Sequence, residues 1–338
     1  MSLNPDQRAA LVAAKAAALV RGGFGASVDA AVVDGAAADQ LPGPSAAFAD
    51  GARGWVLLGA DAGLGLALVW ARRRAVTELH VLVDEGGRPG VVARRAALID
   101  PAPTVWTVAG TSLEPAEATP PAPPAVPPAS TDEPARALAA AGVDVVVEHG
   151  EVAGEVLGLE VARVVVADDG TTSIEVGVGR HDREAFALLH DELPTAEALA
   201  RVVADVRALR RPGAVPHPVS RLVRERWLRE QVLADPGLVG AATLRRAESP
   251  EPRAGLHGTG VAVAVGEAAD GAGVVVACSV GVDPELVPVA ADARLHHAPD
   301  AHLVLVVPPR DILPVTTALA AALVRPAEVV GVDGTWPV

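Results

Sequence analysis

Both ends of this chain carry the same restrictive pattern: short apolar runs, too brief for helices, alternate with segments of helical periodicity. Toward the N-terminus, residues 55–58, 79–83 and 105–108 read as strands, with helices predicted over 63–76 and 89–99. Toward the C-terminus, strands are predicted at 274–278, 303–307 and 328–332, with helices over 284–297 and 312–324. Runs that are apolar throughout suit strands covered on both faces, so each end predicts a parallel sheet with helices packed on it. The two ends also share local sequence. Residues 91–102 and 316–327 agree at six of twelve positions, including a Leu-x-x-Pro-Ala, and Gly110-Thr111 and Gly334-Thr335 follow at similar distances. The expectation is an α/β fold with two related β-α-β-α-β modules.

Between them the pattern changes. Residues 113–136 contain eight prolines, which hold the backbone extended and remove donors, so this stretch predicts a semi-rigid linker. Beyond it, 143–148, 154–166 and 173–178 are β-rich, with Asp168-Asp169-Gly170 as a turn between the last two. Helices are predicted over 182–190, 195–209 and 221–233. The expected organisation is an N-terminal α/β module (1–112), the linker (113–136), a hairpin and Arg-rich helical middle (137–250) and a C-terminal module (251–338).

Composition narrows the chemistry. A net charge of −14 argues against a general nucleic-acid coat, although it leaves room for a local basic groove. The single cysteine, Cys278, excludes an intrachain disulfide and a cysteine zinc site, and its apolar run predicts a core thiol. There is no tyrosine and one lysine, Lys15. The Ala-rich run at 9–20 is too short to span a bilayer and reads as an amphipathic helix opened by Asn4-Pro5-Asp6. These features predict a cytoplasmic protein with no membrane partner.

Three groups of residues carry chemical possibilities. Gly59, Gly63 and Gly65 lie in a turn between a strand and a helix, and Asp84 ends the next strand. This G-x-x-x-G-x-G spacing resembles the phosphate-binding turn of short-chain dehydrogenases. The resemblance implies a nucleotide or dinucleotide at 59–65, with Asp84 toward a ribose. That family's catalytic Tyr and Lys have no counterpart here. Second, Glu160 and Glu175 flank a predicted hairpin that leads into a helix. This arrangement resembles the restriction endonuclease-like (PD-(D/E)XK) superfamily, in which an acid on one strand and a Glu-x-Lys on the next hold a divalent cation. The resemblance implies Mg²⁺ at Glu160 and Glu175, with Gly177 in the lysine position and Arg180 just beyond. An arginine stays protonated and poorly replaces a water-activating lysine. The C-terminal third suits the same scaffold and carries no acidic pair.

Third, residues 207–229 hold seven arginines and one acid, a segment of charge +6. Arg207, Arg210, Arg211, Arg221, Arg224, Arg226 and Arg229, with Trp227, form the candidate contact set for nucleic acid or an acidic protein surface. His181 and His190 fall on opposite faces of their predicted helix, and His296, His297 and His302 lack regular ligand spacing. The leading expectation is a non-catalytic binding or scaffold protein on a nuclease-like frame. A metal-dependent nuclease and a nucleotide binder are the alternatives, and no cofactor is assigned outside them.

Overall fold

The computed structural model describes residues 4–25, 39–41, 45–59, 62–179, 183, 195–253 and 255–337. It is a mixed α/β structure with three sheets and, among the described residues, eight α-helices. The chain divides into two compact units. Unit 1 comprises Met1–Pro121, Val287–Asp292 and Leu313–Ala327, and unit 2 the remainder.

Unit 1 opens with α1 (Pro5–Phe24), whose first turn is closed by a capping box between Asn4 and Gln7. Its sheet runs in chain order: β1 (Asp39–Leu41), β2 (Ser45–Asp50), β3 (Arg53–Leu58), β4 (Glu78–Asp84), β5 (Thr104–Ala109) and β6 (Ser112–Pro115). The pairs β1–β2, β2–β3 and β5–β6 are antiparallel, while β3, β4 and β5 are parallel. Period-two alternation sorts the side chains. Trp55 and Leu57 join Ala16, Ala17 and Val20 of α1 in one core. On the other face, a Cβ at Gly54 would fall 2.8 Å from the Trp70 ring, which places α2 (Leu64–Arg73) there. Two helices complete the unit, α3 (Pro89–Ala96) and α8 (Pro314–Ala321), together with residues 287–292 of α7 (Leu286–His297). Asp292 is fully buried between Arg94 and Arg95 of α3, and Ile99 forms an antiparallel bridge with Leu323.

The proline-rich stretch is shorter as an irregular segment than its composition predicts. Ser112–Pro115 pairs as an edge strand, where Pro115 ends the ladder, and α4 (Asp132–Ala140) begins before Pro134. Proline is tolerated at both kinds of position, a strand edge and a first helical turn.

Unit 2 contains two sheets. The first is antiparallel throughout, in the order β10 (Thr172–Val176), β9 (Leu159–Val166), β8 (Glu151–Val156), β7 (Asp144–Glu148). The apolar run 154–166 is thus two strands, reversed at Leu157-Gly158, both with positive φ (49° and 76°). Two consecutive residues of positive φ make the tight hairpin whose twist matches its strands. Leu138 of α4 and Leu199, Val203 and Val206 of α5 (Thr195–Leu209) cover this sheet. The second sheet runs β11 (Ala241–Ala247), β12 (Ala262–Ala268), β13 (Gly273–Cys278), β14 (His302–Val307), β15 (Glu328–Gly331). Its first three strands are antiparallel and β13, β14 and β15 parallel, the order and sense of β1–β5 in unit 1. On one face, Ala262, Ala264, Val274, Val276, Cys278, Val304 and Val306 pack against Trp227, Leu228 and Val232 of α6 (Arg224–Ala234). No described helix is long and apolar enough to cross a membrane.

Candidate functional site

The hairpin carboxylates come first. Glu160 lies on β9 and Glu175 on β10, and they converge on one guanidinium. Arg183 Nη1 donates to Glu160 Oε1 at 2.5 Å, and its Nε lies 3.4 Å from Glu175 Oε2. Glu160 also accepts two bonds from Arg163, at 3.0 and 2.8 Å. Arg180, the expected basic partner, lies outside the described residues, as do His181 and His190. Where a cation would sit between the two acids, a buried arginine sits instead. Arg183 neutralises the pair without offering an open coordination position. Among the described residues, no group of His, Cys, Asp and Glu has the arrangement of a metal site.

The arginine segment divides sharply. Arg210 is fully buried at the end of α5, donating to the carbonyls of Leu157 (3.0 Å) and Leu222 (2.8 Å) and standing 4.4 Å above the Trp227 ring. Burial depresses its guanidinium to about 10. Arg226 and Arg229 are one helical turn apart on α6 and point toward β7 and β8. Arg226 bonds Glu148 and Glu155, and Arg229 reaches Glu155 at 3.2 Å, Glu148 at 3.4 Å and Glu230 at 3.2 Å. Arg246 of β11 bonds Glu230 and lies 2.9 Å from Asp144. Trp227 is core. Arg210, Arg226, Arg229 and Trp227 are therefore interior residues, because inward-facing carboxylates, carbonyls and apolar side chains claim them.

The remaining members stay outside. Arg207, Arg211 and Arg221 are exposed and Arg224 is half-buried. Arg207 and Arg211 donate only to backbone carbonyls, of Gly142 and Ala208. None of the four forms an ion pair with a described carboxylate, although Arg224 lies in the field of Asp311 and Glu225.

The buried carboxylates are the part that sequence reasoning missed. Glu155 is 1% exposed on β8, beside a register shift at Gly154/Glu155. A bulge re-aims a side chain, and here the re-aimed carboxylate faces α6. Burial pushes the Glu155 carboxyl above its usual range, against the pull of Arg226 and Arg229. Burial likewise lowers the Arg226 guanidinium, but Glu155 and Glu148 more than offset this and hold it charged. The turn at Leu157-Gly158 sets the approach. A Cβ on Gly158 would fall 2.5 Å from the Arg226 Cβ, so glycine lets the hairpin close on the helix. An acid inside the otherwise apolar run 152–156 was the available signal.

The glycine turn presents less. Gly63 caps α2, Gly65 is buried within it, and the Gly59 N–H is taken by Ser45 Oγ at 3.0 Å. Asp84 pairs with Lys15 of α1 at 2.5 Å. Among the histidines, His297 bonds the Glu248 carbonyl at 2.7 Å and meets His296 edge-on, while His302 pairs with Glu328. Cys278 is buried, and burial raises its thiol to about 12, which leaves it unreactive. Comparison with protein-family models, curated proteins and solved structures finds no match.

Proposed function

We propose that this chain is a non-catalytic binding or scaffold protein whose contact surface is the exposed part of the arginine segment: Arg207, Arg211 and Arg221. The observation carrying this reading is the division of that segment. Every arginine that the fold needs is turned inward and paired with protein groups, whereas these three are exposed and have no described counter-ion. Uncompensated guanidiniums on a chain of net charge −14 suit an acidic partner, either nucleic acid or an acidic protein surface. The frame reading rests on the two similar sheets. The shared order and sense of β1–β5 and β11–β15, with the sequence agreement at 91–102 and 316–327, support a duplicated module. Each has the hairpin, helix and parallel strand that suit a nuclease-like scaffold, whereas the sheet bearing Glu160 and Glu175 is antiparallel throughout. The test is Arg207→Glu/Arg211→Glu/Arg221→Glu against a fluorescent oligonucleotide and a polyglutamate, by anisotropy at several salt concentrations. Binding by the parent chain that the triple variant loses supports the reading, and equal binding by both overturns it.

A second reading, a metal-dependent nuclease, rests on the convergence of Glu160 and Glu175, and it requires a cation to displace Arg183 from between them. Cleavage of DNA or RNA with Mg²⁺ or Mn²⁺, lost in Glu175→Ala, supports it. Absence of metal-dependent cleavage in the parent chain ends it.

A further inference from the structure

The parallel strands of the two similar sheets end in different ways. In unit 1, Gly110 at φ 64° reverses the chain after β5, and β6 returns antiparallel along that strand, with Ala109 opposite Ser112 and Trp106 opposite Pro115. In unit 2, the residues after β15 are used elsewhere. The Val332 N–H continues the ladder to the Val307 carbonyl, the Thr335 N–H donates to Gln231 of α6, and Trp336 is buried edge-on to Trp227. β15 is therefore the outermost strand of its sheet, with no described strand along its other side.

Successive amides of a strand point to opposite sides. Because Val332 donates to β14, Val329 and Gly331 turn their N–H and C=O groups away from it, and these outward groups have no partner among the described residues. The edge is accessible: Glu328 and Gly331 are exposed, and Val329 and Val330 are half-buried. Ile312, 39% exposed, lies on one side of it, where a Cβ on Gly331 would fall 3.1 Å from the Ile312 Cδ1. Val330 packs on the other side, against the Trp227 cluster. Proteins protect such edges with charges, proline, bulges or a covering element. The other outer strands of unit 2 carry charge: Arg245 and Arg246 on β11, Glu175 on β10, Asp144 and Glu148 on β7. Along β15 the residues Val329-Val330-Gly331 are uncharged, and its one acid, Glu328, lies 3.2 Å from the His302 Nε2.

We infer that this edge seats a second copy of the chain, with β15 pairing antiparallel to its twin across a two-fold axis. The strand is complementary to itself. An axis through Val330 sets Val329 opposite Gly331 of the other copy, so that the outward amides and carbonyls of both exchange hydrogen bonds. Val330 then faces its twin in the close, non-hydrogen-bonded position. Glycine opposite Val329 avoids crowding, and Glu328 meets Val332 rather than another acid. The same pairing on β7 would set Asp144 against Glu148, like charges in opposition. Pairing through a short strand gives a modest, concentration-dependent dimer, with a Kd of about 10–100 µM. No arginine of the contact surface proposed above takes part, so the two readings stand or fall separately.

The test is analytical ultracentrifugation of the full chain from about 1 to 300 µM, using the parent, Val329→Pro, Val329→Lys and Arg207→Glu/Arg211→Glu. The parent should pass from monomer to dimer over that range. Val329→Pro removes an outward N–H that β14 does not use and should weaken dimerisation about tenfold or more. Val329→Lys places a charge on the edge and should act in the same direction, while Arg207→Glu/Arg211→Glu should leave the dimer unchanged. Oxidised glutathione reads the register. Val330→Cys should give a disulfide-linked dimer, because the twin Cβ atoms come within about 4.5–5.5 Å, and Glu328→Cys, off the axis, should not. Cys278 is buried and stays out of the reaction. A parent that remains monomeric at about 300 µM overturns the proposal, even if it binds a synthetic peptide of residues 109–117, which would give the edge to a foreign strand. So does a dimer that survives both Val329 variants, or equal crosslinking of Glu328→Cys and Val330→Cys.

Discussion

Arg221 and Arg229 lie eight residues apart in one arginine-rich segment, and the fold treats them in opposite ways. Arg229 is 1% exposed and surrounded by Glu148, Glu155 and Glu230, whereas Arg221 is exposed with no described counter-ion. Composition makes them equivalent; the identity of the facing surface separates them. Arg226 and Arg229 occupy the side of α6 that meets β7 and β8, and a carboxylate waits there because the register shift turned Glu155 inward. Arg221 precedes the helix and is exposed. A basic segment is therefore not one functional object. Part of it holds the interior together, and the rest is free to meet a partner.

That contrast can be broken at its strongest point first. Arg229→Ala leaves Glu155 buried with one counter-ion fewer, so chemical denaturation should show a loss of about 3–5 kcal/mol. A loss below about 1 kcal/mol would mean that the network adds little beyond what Arg226 supplies. Next, Gly158→Ala forces a side chain into positive φ and against the Arg226 backbone. The expected cost is about 2 kcal/mol, read from the same denaturation curves, and a neutral result would show that the hairpin can back away from α6. Arg221→Ala sharpens the other side of the comparison. Its midpoint should stay within about 0.5 kcal/mol of the parent chain, and a larger shift would place Arg221 with the interior arginines.

The smallest effect concerns pH. Burial holds the His297 imidazole below its ordinary value of 6.5. A base with a depressed folded pKa stabilises the fold above its unfolded pKa and loses that contribution as pH falls toward the folded one. The melting temperature of the parent chain relative to His297→Gln should therefore fall in the pH window just below about 6.5. A difference that stays constant across that window would show that His297 does not titrate with folding.

The strand and helix types of both ends were legible because a strand buried on both faces must be apolar throughout. Residues 79–83 and 303–307 meet that rule almost without exception, and they became β4 and β14. Less legible were the short antiparallel strands β2 and β11, whose Ala-rich or charged residues lack a strand signature. The run 154–166 hid a hairpin because its turn is Leu157-Gly158 rather than a polar pair. At the candidate site, Glu160 and Glu175 were found from pattern, but their partner Arg183 was not, since pattern gives spacing along one chain and not what folds across it.

What the sequence determined by itself was the local backbone: apolar runs that must be covered, glycines that permit a reversal, and a capped first helix. Those depend on neighbours within a few residues. Which arginines are structural and which are free depended on the tertiary structure alone. Glu148 and Arg226 are 78 residues apart, and only the closing of the β8–β9 hairpin on α6 brings them together. A charge becomes structural when folding removes its water and supplies an opposite charge, and neither event is written in the spacing of residues along the chain.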